Sequence, residues 1–223
     1  MKIILVLLAL LGQFNALAFN HTGFLKGGIS TGLAELNSLG KKDFFMGAGF
    51  NTHAGYRWID WEFQLSSYIY IAKMDPGMDF ESNGERAQAN GNLRNVSFTP
   101  MLKYLSKLAP RKSWKLYFSA GPMISLQSIK LKSFTRQDGV QAQNYKVTYQ
   151  SYGAALAVGM EEITAFKQMH PVYLEIMYQI QRSHKSTLND ASSSKSVLTI
   201  QDEGTSKKTL NQMIILSFGM TVF

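Results

Sequence analysis

Asn-Gln-Met-Ile-Ile-Leu-Ser-Phe-Gly-Met-Thr-Val-Phe, residues 211 to 223, is the stretch on which the fold turns. Its even positions Ile214, Leu216, Phe218, Met220 and Val222 are apolar, and Ser217, Gly219 and Thr221 between them are small or polar. A repeat of two describes a strand with two unlike faces. Such a strand needs a partner. We expect it to pair with the first strand of the chain and close a barrel, its apolar face toward lipid.

Composition narrows the alternatives. The 223 residues include no cysteine, which excludes disulfides, thiol catalysis and cysteine metal sites. No apolar run beyond the N-terminus approaches the roughly 20 residues of a membrane-spanning helix. A barrel strand needs only about ten alternating residues, so a β-barrel stays open where a helical membrane protein does not. Met1-Lys2, an apolar run from Ile3 to Leu11 and the small-x-small Ala16-Leu17-Ala18 have the form of a secretory signal peptide over residues 1–18. The run is short for an uncleaved anchor. Residues 19–223 would then form one barrel domain, and loss of Lys2 lowers the formal charge of +8 by one.

Alternation recurs along the chain. Gly23 to Leu33 is a loosely patterned first strand, with Leu25, Ile29 and Leu33 on one side. Met46, Ala48, Phe50, Ala54 and Tyr56 face away from Phe45, Asn51 and His53. After a turn at Trp58-Ile59-Asp60, Trp61, Phe63, Leu65, Ile69 and Ile71 alternate with Glu62, Gln64, Ser66, Tyr68 and Tyr70. Similar faces follow at Val96–Tyr104, Lys115–Leu126, Tyr145–Glu161 and Val172–Ile180. With the terminal stretch this makes about eight strands. Short connections at Trp58–Asp60, Leu105–Ser113 and Glu162–Pro171 alternate with long polar segments at Ala34–Asp43, Lys73–Asn92, Lys132–Asn144 and Arg182–Thr209, which read as loops without periodicity. The expected fold is an all-β, transmembrane, antiparallel up-and-down barrel, with short turns on the periplasmic side and long loops outside. Trp58, Trp61, Tyr104 and Trp114 gather at the short-turn end as an interfacial girdle. Pro100 and Pro122 fall within strands, where a missing N–H calls for a bulge.

The signal-like N-terminus, the strand ending Gly55-Tyr56-Arg57 before a turn and a Trp61-led strand, and the terminal aromatic resemble the small eight-stranded outer-membrane barrels of the OmpA, OmpX and OmpW type. The resemblance implies an outer-membrane location and two further expectations. Phe223 would be part of the signal read by the barrel-assembly machinery, and an OmpW-like member would pass small hydrophobic molecules. Phe223 has the opposite parity to Phe218 and Met220, so either a bulge lies near Gly219 or the last residue turns inward.

An eight-stranded barrel has a bore that side chains fill. On the inward face Glu62, Glu161 and Glu175 oppose Arg57, Lys103 and Lys115, all toward the short-turn end. Confined charges pair, because an unpaired one costs several kcal/mol. This cluster reads as a lattice that fixes register, with a gate or proton path as the alternative. Small residues between Gly153 and Gly159 leave room for Tyr117, Tyr173 and Met177 to cross the bore.

Catalytic patterns are sparse. His21, His53, His170 and His184 are scattered, and no phosphate-binding glycine loop or helix-borne His-Glu motif occurs. His184-Lys185-Ser186 resembles the His-x-Ser arrangement of outer-membrane lipid A 3-O-deacylases, but the residues that follow do not match that family. Lys41, Lys42, Lys185, Lys195, Lys207 and Lys208 in the outer segments suit the phosphates of lipopolysaccharide. The reading is a non-enzymatic, monomeric outer-membrane barrel with no cofactor, metal or nucleic-acid partner, in contact with outer-membrane lipid and lipopolysaccharide, with a structural or surface-interaction role. Passage of small hydrophobic molecules is the alternative, a lipid A hydrolase a weaker one. A soluble lipocalin-like barrel would need the opposite facing of every strand.

Overall fold

A computed structural model describes residues 21–38, 41–82, 85–108, 113–135, 141–142, 145–162, 171–190, 196–198 and 210–222. The expected signal peptide and Phe223 lie outside the described residues. In chain order the strands are β1 (His21–Ser38), β2 (Lys41–Trp58), β3 (Trp61–Ser82), β4 (Glu85–Leu105), β5 (Trp114–Thr135), the short β6 (Gln141–Ala142), β7 (Tyr145–Glu162), β8 (Val172–Asp190), the short β9 (Ser196–Leu198) and β10 (Leu210–Thr221). The eight long strands pair antiparallel in sequence order, and β10 pairs with both β8 and β1. The sheet is therefore a closed eight-stranded up-and-down barrel.

Closure runs from Lys26↔Thr221 to Glu35↔Gln212 without a register shift. Gly219 pairs regularly with Gly28 and with Tyr173, so the bulge considered at that point does not form.

The period of two is realised with the apolar side outward. Ile214, Leu216, Phe218 and Met220 are about half exposed, whereas Met213, Ile215 and Ser217 between them are buried. On β3, Phe63 and Leu65 face out and Glu62, Gln64 and Ser66 face in. A one-residue slip would turn every such side chain to the wrong face, so the pattern itself specifies register. From Trp61 to Ile71 the apolar face spans about 34 Å of strand, or about 24 Å of height at a 45° tilt, close to the roughly 25 Å apolar band of membrane barrels.

Three expectations need correction. The polar segments read as loops are largely strand: the β3–β4 ladder extends to Ser82↔Glu85, β1–β2 to Ser38↔Lys41, and β8 to Asp190. Outside an apolar band neither face need be greasy, so these extensions carry no period of two. Register shifts at Met74/Met78, Asn90/Gly91 and Gln150/Ser151 all lie toward this long end. The prolines, in turn, produce no bulge. The β4–β5 ladder passes from Phe98↔Ile124 to Leu102↔Ala120 in step, with the intervening rungs missing. In that register Pro100 stands opposite Pro122. Two residues without N–H groups share one gap, and no extra residue is needed. Finally, the first turn is the two-residue Ile59-Asp60, since Trp58 and Trp61 are paired.

Ile59 carries a positive φ of 58°. That conformation is costly for a β-branched side chain and is the position where such hairpins prefer glycine. The Asp60 carbonyl accepts a hydrogen bond from the Leu105 N–H at 2.7 Å, which holds this turn against the next. Ile59→Gly should raise the unfolding free energy by about 1 kcal/mol, read by urea titration of the refolded barrel. A loss of stability would show that the Ile59 side chain contributes packing that outweighs the strain. Separately, a nitroxide on Leu65→Cys should be quenched by oxygen dissolved in the bilayer and one on Gln64→Cys should not. The reverse pattern would overturn the facing of the strands.

Candidate functional site

Five strands each send one side chain to a cluster inside the short-turn end of the bore: Lys26 from β1, Arg57 from β2, Glu62 from β3, Lys103 from β4 and Glu161 from β7. Alternation explains why these residues meet. Each has inward parity, and the ladders place Arg57 beside Glu62 and Glu62 beside Lys103 as direct register partners.

Glu62 accepts from Arg57 Nε at 2.5 Å, Lys103 Nζ at 3.0 Å and Lys26 Nζ at 3.3 Å. Glu161 accepts from Lys26 Nζ at 2.6 Å and also pairs with Arg57 and Lys103. The two carboxylates thus share the same three cations. Apart from Arg57, whose side chain is 23% exposed, these side chains are at most 4% exposed. β7 is laddered only to β5 and β8, so every ion pair of Glu161 crosses the bore. A buried ion is tolerated where opposite charges and hydrogen bonds replace its water, and each member here has at least two partners.

Glu175 lies beyond this lattice rather than in it. Its carboxyl oxygens accept from Tyr68 Oη at 2.7 Å and Tyr117 Oη at 3.1 Å. The Lys103 ammonium stands 3.7 Å from the centre of the Tyr117 ring, a cation–π contact that joins the two layers. Lys115 is also outside the lattice. It pairs with Asp60 at 3.1 Å at the rim, both side chains partly exposed. Of the six charges the sequence grouped, Arg57, Glu62, Lys103 and Glu161 are brought together; Lys115 and Glu175 are not. Lys26 was missed, although its place between Leu25 and Gly27 in a strand whose apolar side is Leu25, Ile29 and Leu33 gives it inward parity.

Above the charges the bore is filled by polar, then apolar, layers. His53 Nδ1 and Ser66 Oγ are 2.8 Å apart, with the rings of Tyr68 and Tyr173 edge-on to the imidazole. Tyr173 donates to Asn51 Oδ1 at 2.8 Å. Gly159 makes room for Tyr117: a Cβ there would lie 2.5 Å from the tyrosine hydroxyl. Gln179 donates to Ser97, and Asn211 to Gln127. Toward the long end Phe45, Tyr70, Leu93, Met213 and Ile215 pack together. The His53–Ser66 pair has the spacing of a base and a nucleophile, but both are sealed within this packing.

On the outer wall, Trp58, Trp61, Tyr104 and Trp114 stand at the short-turn end, with Trp61 and Tyr104 rings 4.9 Å apart. His184, expected in a loop, is on β8, exposed on the outer wall beside Tyr152 at 5.7 Å between ring centres. The side chains of Lys185 and Ser186 lie outside the described residues.

The chain is similar to Neisserial surface protein A (NspA), at 13% identity over 91% of this chain and 99% of that one, with a TM-score of 0.47. It is similar to the outer membrane protein OprG from Pseudomonas aeruginosa, at 15% identity over 91% of this chain and 95% of that one, TM-score 0.47. Ail, the attachment invasion locus protein of Yersinia pestis, is 14% identical over 92% of this chain and 99% of that one, TM-score 0.42. No family model and no curated protein matches the chain.

Removing one carboxylate from the lattice leaves three cations sharing the other. Glu161→Gln should cost the barrel about 3–5 kcal/mol of unfolding free energy. Lys115→Gln, at the exposed rim, should cost no more than about 1 kcal/mol. Urea unfolding in lipid vesicles measures both, and an equal or reversed ranking would sink the lattice as the element that ties the strands together.

Proposed function

We propose that this protein is an integral outer-membrane barrel, delivered by a cleaved signal peptide and the barrel-assembly machinery, that acts as a monomer without catalysis. Its role is structural or surface-interacting, carried by the strand extensions and connections at the long end. The observation that carries this reading is the bore. A lattice drawn from five strands crosses it at one end, and packed side chains fill it beyond, so solute has no ready path through it. Specificity then falls to the segments that project past the apolar band.

Planar-bilayer recording of the refolded chain tests the reading directly. Wild-type protein should give no resolved conductance steps, while its insertion is confirmed independently by heat-modifiable mobility. Stable single-channel steps from the wild type would overturn a plugged bore.

A second reading, passage of small hydrophobic molecules, is favoured by one observation. Where Pro100 faces Pro122 the wall lacks rungs, and a hollow of about 470 Å³ opens there, lined by Phe63, Leu65, Leu102 and Ala120 among others. A seam without ladder hydrogen bonds is the part of the wall that opens at least cost. Uptake of a small apolar dye into vesicles should then depend on the seam, and Pro100→Val with Pro122→Val should abolish it. Uptake no faster than in protein-free vesicles removes this reading.

A further inference from the structure

At the long-end margin of the apolar band the outer wall carries two adjacent rows in which every side chain but Ile71 is polar. One runs across four strands as Ile71, Arg94, Ser128 and Thr148, and the next as Lys73, Asn92, Lys130 and Lys146. Arg94 and Lys130 are exposed, and Lys146 is half-buried. All share the parity of the outward apolar residues below them on the same strands.

Their arrangement is electrostatically one-sided. Lys130 and Lys146 are direct register partners, and Arg94 is a diagonal neighbour of Lys130. Directly opposed side chains on one face are about 5 Å apart at Cβ and diagonal ones about 7–8 Å, so these cations feel one another. Like charges opposed in a ladder destabilise it unless an anion lies between them. None of the eight positions is a carboxylate. By contrast Lys42, farther round the same rim, is neutralised by Glu35 at 2.9 Å.

A second observation points into the same place. Ser128 Oγ is shielded from solvent and has no hydrogen-bond partner among the described residues, although it lies between Arg94 and Thr148 in its row. Immediately beneath, Ile69, Val96 and Leu126 begin the apolar face. Cations, hydroxyls and an amide directly above a surface for acyl chains describe an amphiphile with an anionic head.

We propose that Arg94, Lys130 and Lys146, with Ser128 and Thr148, bind the phosphate of a phosphorylated lipid in the leaflet at the long end of the barrel. This rests on the membrane-spanning reading above and names a partner for it. The cations take the charge, the hydroxyls donate to phosphate oxygens, and the apolar row seats the chains. The site differs from the outer-segment lysines singled out in the sequence. Lys195, Lys207 and Lys208 lie outside the described residues, as do the side chains of Lys41 and Lys185.

The test uses the full mature chain refolded in nanodiscs of zwitterionic phosphatidylcholine. Flotation with the discs is scored first, so failure to insert sinks the membrane reading and is told apart from failure of the site. Binding of fluorescent bis-phosphorylated lipid A is then titrated beside its dephosphorylated form. Preference for the phosphorylated lipid should be about ten-fold or more. Arg94→Gln combined with Lys130→Gln and Lys146→Gln should remove it, while Lys107→Gln, on the exposed opposite rim, should leave it unchanged. Lys130→Gln alone, which relieves the opposed pair, provides a milder variant should the triple one misfold, and should weaken binding several-fold. Equal binding of the two lipids by the wild type, or full retention by the folded variants, overturns the proposal. Equal displacement by the same concentration of inorganic phosphate also overturns it, as a soluble-anion site.

Discussion

Everything in this barrel depends on the pairing of its last strand with its first. Backbone N–H and C=O groups in hydrocarbon have no water to turn to, so a sheet in a membrane must have no free edge. β10 supplies that condition by laddering to β8 on one side and β1 on the other. The alternation of its side chains follows from the same demand. Once the sheet is closed, one face of every strand looks into a narrow bore and the other looks out, and two solvents of opposite character sort the residues.

The bore then sets a second constraint. It is too narrow for free water around each charge, so the charges must satisfy one another. Glu161 meets this by reaching three cations on strands it does not touch by laddering, and Glu62 meets the same three. Ladder hydrogen bonds hold neighbours; the ion pairs of Glu161 hold strands that no ladder joins. The two kinds of bond are complementary, since a slipped strand would carry its charge to the lipid side and break both.

How much of this was legible in the sequence follows from where the period of two exists. Within the apolar band it is imposed by lipid outside and packing inside, so the strand faces, the fold and four of the five lattice residues could be read from parity. Lys26 was hidden because glycines at 23, 27 and 28 blur the alternation of β1. Lys115 and Glu175 had the right parity but the wrong height: one lies at the rim beside Asp60, the other a layer deeper beside Tyr68 and Tyr117. Height along the bore depends on stagger between strands, which a single strand's pattern does not contain. Beyond the band the constraint lapses, and the extensions of β3, β4 and β8 looked like loops for that reason. The prolines misled in a different way. Each alone implies a bulge; only the register reveals that they face each other and share one gap.

The two ends of the barrel are built on opposite plans, and this asymmetry links the fold to its surroundings. At the short-turn end the cations are inside, matched to carboxylates, and the outer wall shows aromatic rings suited to an interface. At the long end the inside is apolar, and cations stand outside on the wall, with Lys130 and Lys146 opposed and no acid among their row neighbours. A fold needing only solubility at that rim would gain nothing from opposing two lysines, since the ladder loses stability by it. The repulsion becomes favourable only when the adjoining medium carries fixed negative charge at that height. On the proposed lipid-binding reading, the cations outside would set the orientation of the barrel in the membrane, while the ladder of β10 to β1 sets its closure.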